Sequence, residues 1–167
     1  MSLDTARTVS LMGATMSTGL VAGVFGLYAH TIMPGLKATD DRTFVGAFQS
    51  LDRAIINPWF IGASFLGAAV FTSVAAATNR HTPAFTWIVA ALVAYLATMV
   101  VTVVVHVPLN DAIKAAGNPG KIADLHRVRL NFHEARWAAW NLVRVIVSMA
   151  AFAMLMWSLV LHGRSTQ

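Results

Sequence analysis

The chain contains no cysteine, which excludes disulfides, thiolate-ligated haem and cysteine-held iron–sulfur clusters and leaves His, carboxylate or Met as metal donors. Charge is scarce as well: 11% of the 167 residues are Asp, Glu, Lys or Arg, against 57% hydrophobic residues. Several stretches pass about 20 residues without a charge, the length that crosses a bilayer core. A soluble domain of this size needs polar surface on every element, so the composition expects lipid as the main solvent. No cationic segment precedes the first apolar run, which is too long for the core of a cleaved signal, so that run is expected to be retained as a span. The net charge of +5 comes from basic residues scattered through loops and interleaved with acids, which argues against nucleic acid and for a juxtamembrane bias.

What is there reads as an all-α integral membrane four-helix bundle, a single domain over residues 1–167 with spans near 9–33, 59–78, 84–107 and 137–161. Pro34-Gly35 and Pro108 mark the expected ends of the first and third spans. Gly19, Gly23 and Gly26 give the first span a small-residue face, continued by His30, that would suit close helix packing or homo-oligomerisation. Between Asp41 and Ile56 the apolar residues Phe44, Val45, Phe48, Leu51, Ile55 and Ile56 recur at helical spacing, predicting an amphipathic helix in the first long loop, capped by Thr39 or Asp40. From Ile122 a helix is expected to run unbroken through Arg136 into the fourth span, with Trp137, Trp140 and Trp157 as interfacial aromatics. The first and third loops carry eight of the twelve Lys and Arg residues, so the positive-inside rule puts both long loops in the cytoplasm of a plasma or inner-membrane protein.

This topology brings the ends of the first and third spans and the start of the fourth to one level, and with them His30, His106 and His133. Three converging imidazoles would make an open copper or iron site able to meet oxygen; the alternative is that interfacial histidines bond to loops or water. On the fourth span His133, Trp137, Asn141, Arg144 and Ser148 follow at intervals of four, four, three and four residues, one helical face. Arg144 falls roughly 10 Å deeper than Trp137 at about 1.5 Å per residue, where a charge costs on the order of 3 kcal/mol. Its candidate partners are Asp52, Asp111, Glu134 or an anionic substrate, unless it snorkels to the interface. The third span adds Tyr95, Thr98, Thr102 and His106 at similar spacing, with Asn110 just beyond Pro108. Asn57, which precedes Pro58, is a helix cap on this reading.

Four segments in order, Met33-Pro34-Gly35-Leu36 with Asp40 to Val45, then Ile56-Asn57-Pro58, then Val107-Pro108-Leu109-Asn110-Asp111, then Trp137 to Arg144 with its Trp-x-x-x-Asn-x-x-Arg pattern, resemble the anthrone oxygenase-like family of small four-helix membrane proteins. The resemblance implies oxidation of an activated carbon in a phenolic or polyketide-type metabolite by molecular oxygen, and it implies Asn57, Asn110, Trp137, Asn141 and Arg144 as the shared site; His106 departs from the family pattern, and His106 or His133 could remove the substrate proton. Two alternatives from other classes stay open: a haem b carrier ligated by two of the histidines, and a non-catalytic membrane subunit or ligand-binding protein.

Overall fold

The computed structural model describes residues 2–165. Six helices form it: α1 Leu3–Lys37, α2 Asp41–Ile55, α3 Pro58–Thr78, α4 Phe85–Ala115, α5 Leu125–Asn131 and α6 Glu134–Ser165. The four long ones, with α5 leading into α6, are long and apolar enough to cross a membrane. Around the bundle the order is α1, α3, α4, α6, each packed on its neighbours, with α6 closing on α1. The outward faces stay apolar, with Met16, Val93, Val100, Val103 and Val104 all more than half exposed, as lipid contact requires.

Polar side chains set the helix ends. Ser2 caps α1, Asp40 caps α2 by accepting from the amides of Arg42 and Thr43, Asn57 caps α3 through the Phe60 amide, and Asp124 caps α5. Of the two residues expected at the start of α2, Asp40 takes the cap. Its carboxyl is held below the ordinary carboxylate value by the Thr43 hydroxyl and then the Thr43 amide. As the hydrophobic pattern predicted, α2 is amphipathic: Phe44, Val45 and Phe48 are buried against the bundle end, so it lies across that end as a cover.

Two helix ends differ from the sequence expectation. Pro34 and Pro108 do not stop their helices: α1 continues to Lys37 and α4 to Ala115. A proline removes one intrahelical hydrogen bond and its ring collides with the carbonyl four residues back. Both helices absorb this in a π-helical turn just upstream, Tyr28–Ile32 before Pro34 and Thr102–His106 before Pro108, where the i→i+5 pattern makes room. A third π segment, Pro58–Leu66, opens α3. Conversely, the helix expected to run unbroken from Ile122 is broken at His133, whose φ of 52° is left-handed and ends α5 before α6 begins.

Three buried clusters fill the bundle, the smallest formed by Leu11, Ala75, Ala84 and Ile88. Ala14, Val21, Phe25, Phe65, Ala68, Ala91, Tyr95, Ala151 and Leu155 form the mid-bundle core. Met33, Phe44, Phe48, Val105, Ile113, Phe132 and Trp137 pack under α2. The small-residue face of α1 divides in function. At Gly19 an added Cβ would stand 2.8 Å from the Phe152 ring, so this glycine permits the close approach of α6, whereas Gly23 and Gly26 face open space.

Candidate functional site

Beneath α2 lies a cavity of about 260 Å3, bounded by α1, α2, α3, α4 and α6. Its wall is mostly apolar, with Phe25, Phe48, Phe60 and Phe65 among the lining side chains. An apolar cavity of about 150 Å3 takes one benzene ring, so this one suits two or three fused rings. Its polar groups come chiefly from one stripe of α4, Thr102, His106, Asn110 and Lys114, together with Asp52 of α2, Tyr28 of α1 and Arg144 of α6.

The spacing of four along α4 needs an explanation, because on a regular α-helix each such step overshoots a turn by about 40° and three steps would drift by about 120°. The π turn over Thr102–His106 is wider and undershoots, which cancels part of the drift and keeps all four residues on the cavity wall. The proline that causes the π turn thus aligns the site.

Arg144 is 6% exposed, and among the described residues no carboxylate pairs with it. Its Nη2 donates to Asn141 Oδ1 at 2.7 Å and its Nη1 to Thr102 Oγ1 at 3.3 Å, while Nε is buried without a partner. The guanidinium lies over the Phe25 ring at 4.1 Å and 5.6 Å from the centre of Trp137, so π faces and neutral oxygens supply what an acid would. The acids considered for it are engaged elsewhere: Asp52 and Asp111 both contact Lys114, and Glu134 pairs with Arg129. Asn141 is fully buried and spans two elements, donating from Nδ2 to the Phe25 carbonyl while holding Arg144.

His106 is 1% exposed and stands edge-on to Trp137 with centroids 5.0 Å apart. Its Nδ1 faces the Val101 carbonyl at 3.4 Å. A carbonyl only accepts, so this contact suits the tautomer with the hydrogen on Nδ1, and the buried Nε2 has no hydrogen-bond partner. Trp137 sits between His106 and Arg144 and is fixed by a polar relay: its Nε1 donates to Asn110 Oδ1 at 2.8 Å, Asn110 Nδ2 donates to Asp52 Oδ1 at 2.6 Å, and Asp52 contacts Lys114 Nζ at 2.7 Å. Trp137 is therefore a buried member of the site and not the interfacial aromatic that its place near a span end suggested.

The three-histidine metal centre is not formed. His106 is the one histidine among the cavity's lining residues; His30 is exposed and bonds Thr31 at 2.6 Å; His133 is exposed in a separate depression beside Asp41, His126 and Arg129. Among the described residues no three His, Cys, Asp or Glu side chains are grouped so as to hold a metal. The ends of spans share a level, but rotation about each helix axis sends the three rings in different directions. The haem alternative called for two histidine ligands, and the cavity wall brings only His106.

Of the other sequence candidates, Asn110 and Arg144 line the cavity, Trp137 and Asn141 stand behind them as supports, and Asn57 lies outside its wall, capping α3. Sequence reasoning missed Tyr28, Phe25 and Lys114 as wall residues. Lys114 was reachable, because it extends by four the run Thr102, His106, Asn110.

No curated protein and no solved structure matches the chain. The sequence profile of the anthrone oxygenases matches residues 56–154, a stretch holding Thr102, His106, Asn110, Trp137, Asn141 and Arg144, and with more than half its length so matched the chain belongs to the anthrone oxygenase family.

Proposed function

We propose that the protein is a membrane-embedded oxygenase that converts an anthrone-like substrate, a fused-ring phenolic ketone with an activated methylene carbon, to the corresponding quinone with molecular oxygen. One observation carries the reading: two buried, unpartnered polar atoms, His106 Nε2 and Arg144 Nε, belong to side chains lining the same apolar cavity. A base with a free lone pair and a cation without a counter-ion are what proton abstraction next to a carbonyl requires.

In this scheme His106 Nε2 takes a proton from the methylene carbon, and the substrate becomes an enolate whose oxygen faces Arg144, held in place by Asn141 and Thr102. The enolate gives electrons to oxygen, and a carbon–oxygen bond forms, leaving a peroxide anion. The His106 imidazolium returns its proton to give the hydroperoxide, which loses water to leave the new carbonyl. Atoms balance as anthrone plus O2 giving anthraquinone plus water, with four electrons passing from the methylene carbon to oxygen. The electrons come from the substrate carbanion, so no step is drawn through a metal. The excess of Lys and Arg in the loops at the α2 end favours placing that end in the cytoplasm.

The test is oxygen uptake by purified protein with a hydroxylated anthrone, corrected for the spontaneous rate, comparing wild type with Arg144→Leu and Arg144→Lys. Loss of one electrostatic donor to a developing oxyanion costs about 10²–10³ in kcat, and the leucine variant is expected to show that loss with the lysine variant in between. Full activity in a folded Arg144→Leu, or no acceleration by wild type, would overturn the reading.

A further inference from the structure

A buried site in a bilayer protein needs an opening, and the packing shows where the bundle parts. α3 meets α4 through its second half, Gly67–Thr78, but its first half, Pro58–Leu66, packs on α1 instead. The Tyr95 hydroxyl, donating to the Phe65 carbonyl at 2.7 Å, links the two helices at the foot of the divergence. Beyond that link α3 starts with the break at Asn57-Pro58, and α4 carries its π turn and Pro108. The cavity lies at this level. Elsewhere around the ring the helices stay in contact: α6 packs on the π segments of both α1 and α4, and α2 covers the end.

Exposure among the lining residues locates the mouth. Most of the wall is buried or half-buried, but Ile56, in the short connection between α2 and α3, is 60% exposed and Val107, on α4, is 43% exposed. Both belong to the cavity and to the outer surface, so they are its lips. Val103 and Val104, just outside, are more exposed still, which makes the surround apolar. Towards the loop end the opening meets Asp111 and Lys114, whose ion pair with Asp52 gives that corner a polar edge.

We propose that the gap between α3 and α4, with Ile56 and Val107 as its lips, is the doorway through which an uncharged, flat aromatic substrate passes sideways from the bilayer into the cavity. This rests on reading the cavity as the substrate pocket, and it adds a route and two residues that govern passage without touching the reacting carbon. An apolar ring system dissolved in lipid reaches the lips without crossing water. The apolar rim disfavours a charged form, so the substrate arrives neutral and ionises only beside Arg144.

The experiment measures passage rather than turnover. Protein in vesicles of neutral phospholipid is mixed with vesicles preloaded with a dihydroxyanthraquinone, and binding is followed through the probe's own emission for wild type, Val107→Trp, Ile56→Trp and, as a lipid-facing control, Val93→Trp. A bulky ring at a lip is expected to slow association and dissociation together by about tenfold, while the control behaves as wild type. Unchanged rates in both lip variants would overturn the doorway alone, as would a weakened Kd with association intact. A wild-type protein that binds no probe would overturn the pocket reading and the doorway with it.

Discussion

A guanidinium at mid-bilayer costs on the order of 3 kcal/mol to insert, and Arg144 offsets part of this through the Asn141 and Thr102 oxygens and the Phe25 ring. None of these partners cancels its charge, which keeps it available for a developing anion. His106 is complementary, a buried ring whose Nδ1 faces the Val101 carbonyl. Replacing it with glutamine keeps the volume and removes the base. We expect kcat for His106→Gln to fall by about 10²–10⁴, the usual contribution of a positioned base. The deficit should narrow as pH rises and hydroxide takes over proton removal. A pH–rate profile parallel to wild type would show that His106 only fills space. Arg144 was legible as a residue because a lone charge deep in an apolar run is conspicuous. Its partners were not, since hydrogen bonds to neutral oxygens and ring faces leave no sign in charge pattern.

At the scale of elements, the prolines explain both what the sequence revealed and what it hid. Pro34 and Pro108 read as stops because the rule for soluble helices is that a proline ends or kinks a helix, yet a π turn upstream lets each helix continue. In α4 that turn keeps Thr102, His106, Asn110 and Lys114 on one wall. Pro108→Ala removes its cause, so α4 should relax towards regular geometry and rotate His106 against Asn110. The expected outcome is a protein at least as heat-stable as wild type whose kcat/KM falls about 100-fold, the scale of an ångström-sized misplacement; thermal melting beside steady-state kinetics checks both halves. The cap of α2 gives a pH-dependent counterpart. The Asp40 carboxyl is held below its ordinary 3.8 by Thr43, so its stabilising contribution is complete above that ordinary value and is lost as pH falls through the lower folded one. Protection of the amides at the start of α2, taken relative to the intrinsic exchange rate at each pH, should therefore fall on acidification in wild type, and Asp40→Ala should show the lower protection already at neutral pH.

Across the whole molecule, the four spans, the cover helix and the polar end of the bundle were all legible, because long uncharged runs and an amphipathic pattern report directly on solvent. The convergence of His30, His106 and His133 was misread because topology fixes depth along each axis but not rotation about it. The left-handed break at His133 turns that ring away, and a single positive φ has no compositional signal at a histidine. Arg129, equally hidden among loop charges, helps join cover and bundle at this end. Its Nη1 donates to the Thr39 carbonyl and Asp41, its Nη2 to the Lys37 carbonyl and Glu134, and its guanidinium lies 4.2 Å over Phe44. It therefore ties the end of α1, the start of α2 and the start of α6 together. Charge-assisted hydrogen bonds contribute about 1.5–3 kcal/mol each in favourable settings, but Arg129 is partly exposed and screened, so Arg129→Ala should cost on the order of 2 kcal/mol in total. For a chain of this size that lowers the melting temperature by roughly 4–8 °C at about 2–4 °C per kcal/mol. Arg129→Lys should recover only a minority of the loss, because an ammonium cannot present two parallel edges to four acceptors. Since Arg129 stands outside the cavity wall, kcat at low temperature should stay near wild type while the temperature of half-inactivation drops in step with melting. A large fall in kcat at low temperature would mean instead that the seating of α2 sets the geometry of Asp52, Asn110 and Trp137 more tightly than the relay alone requires.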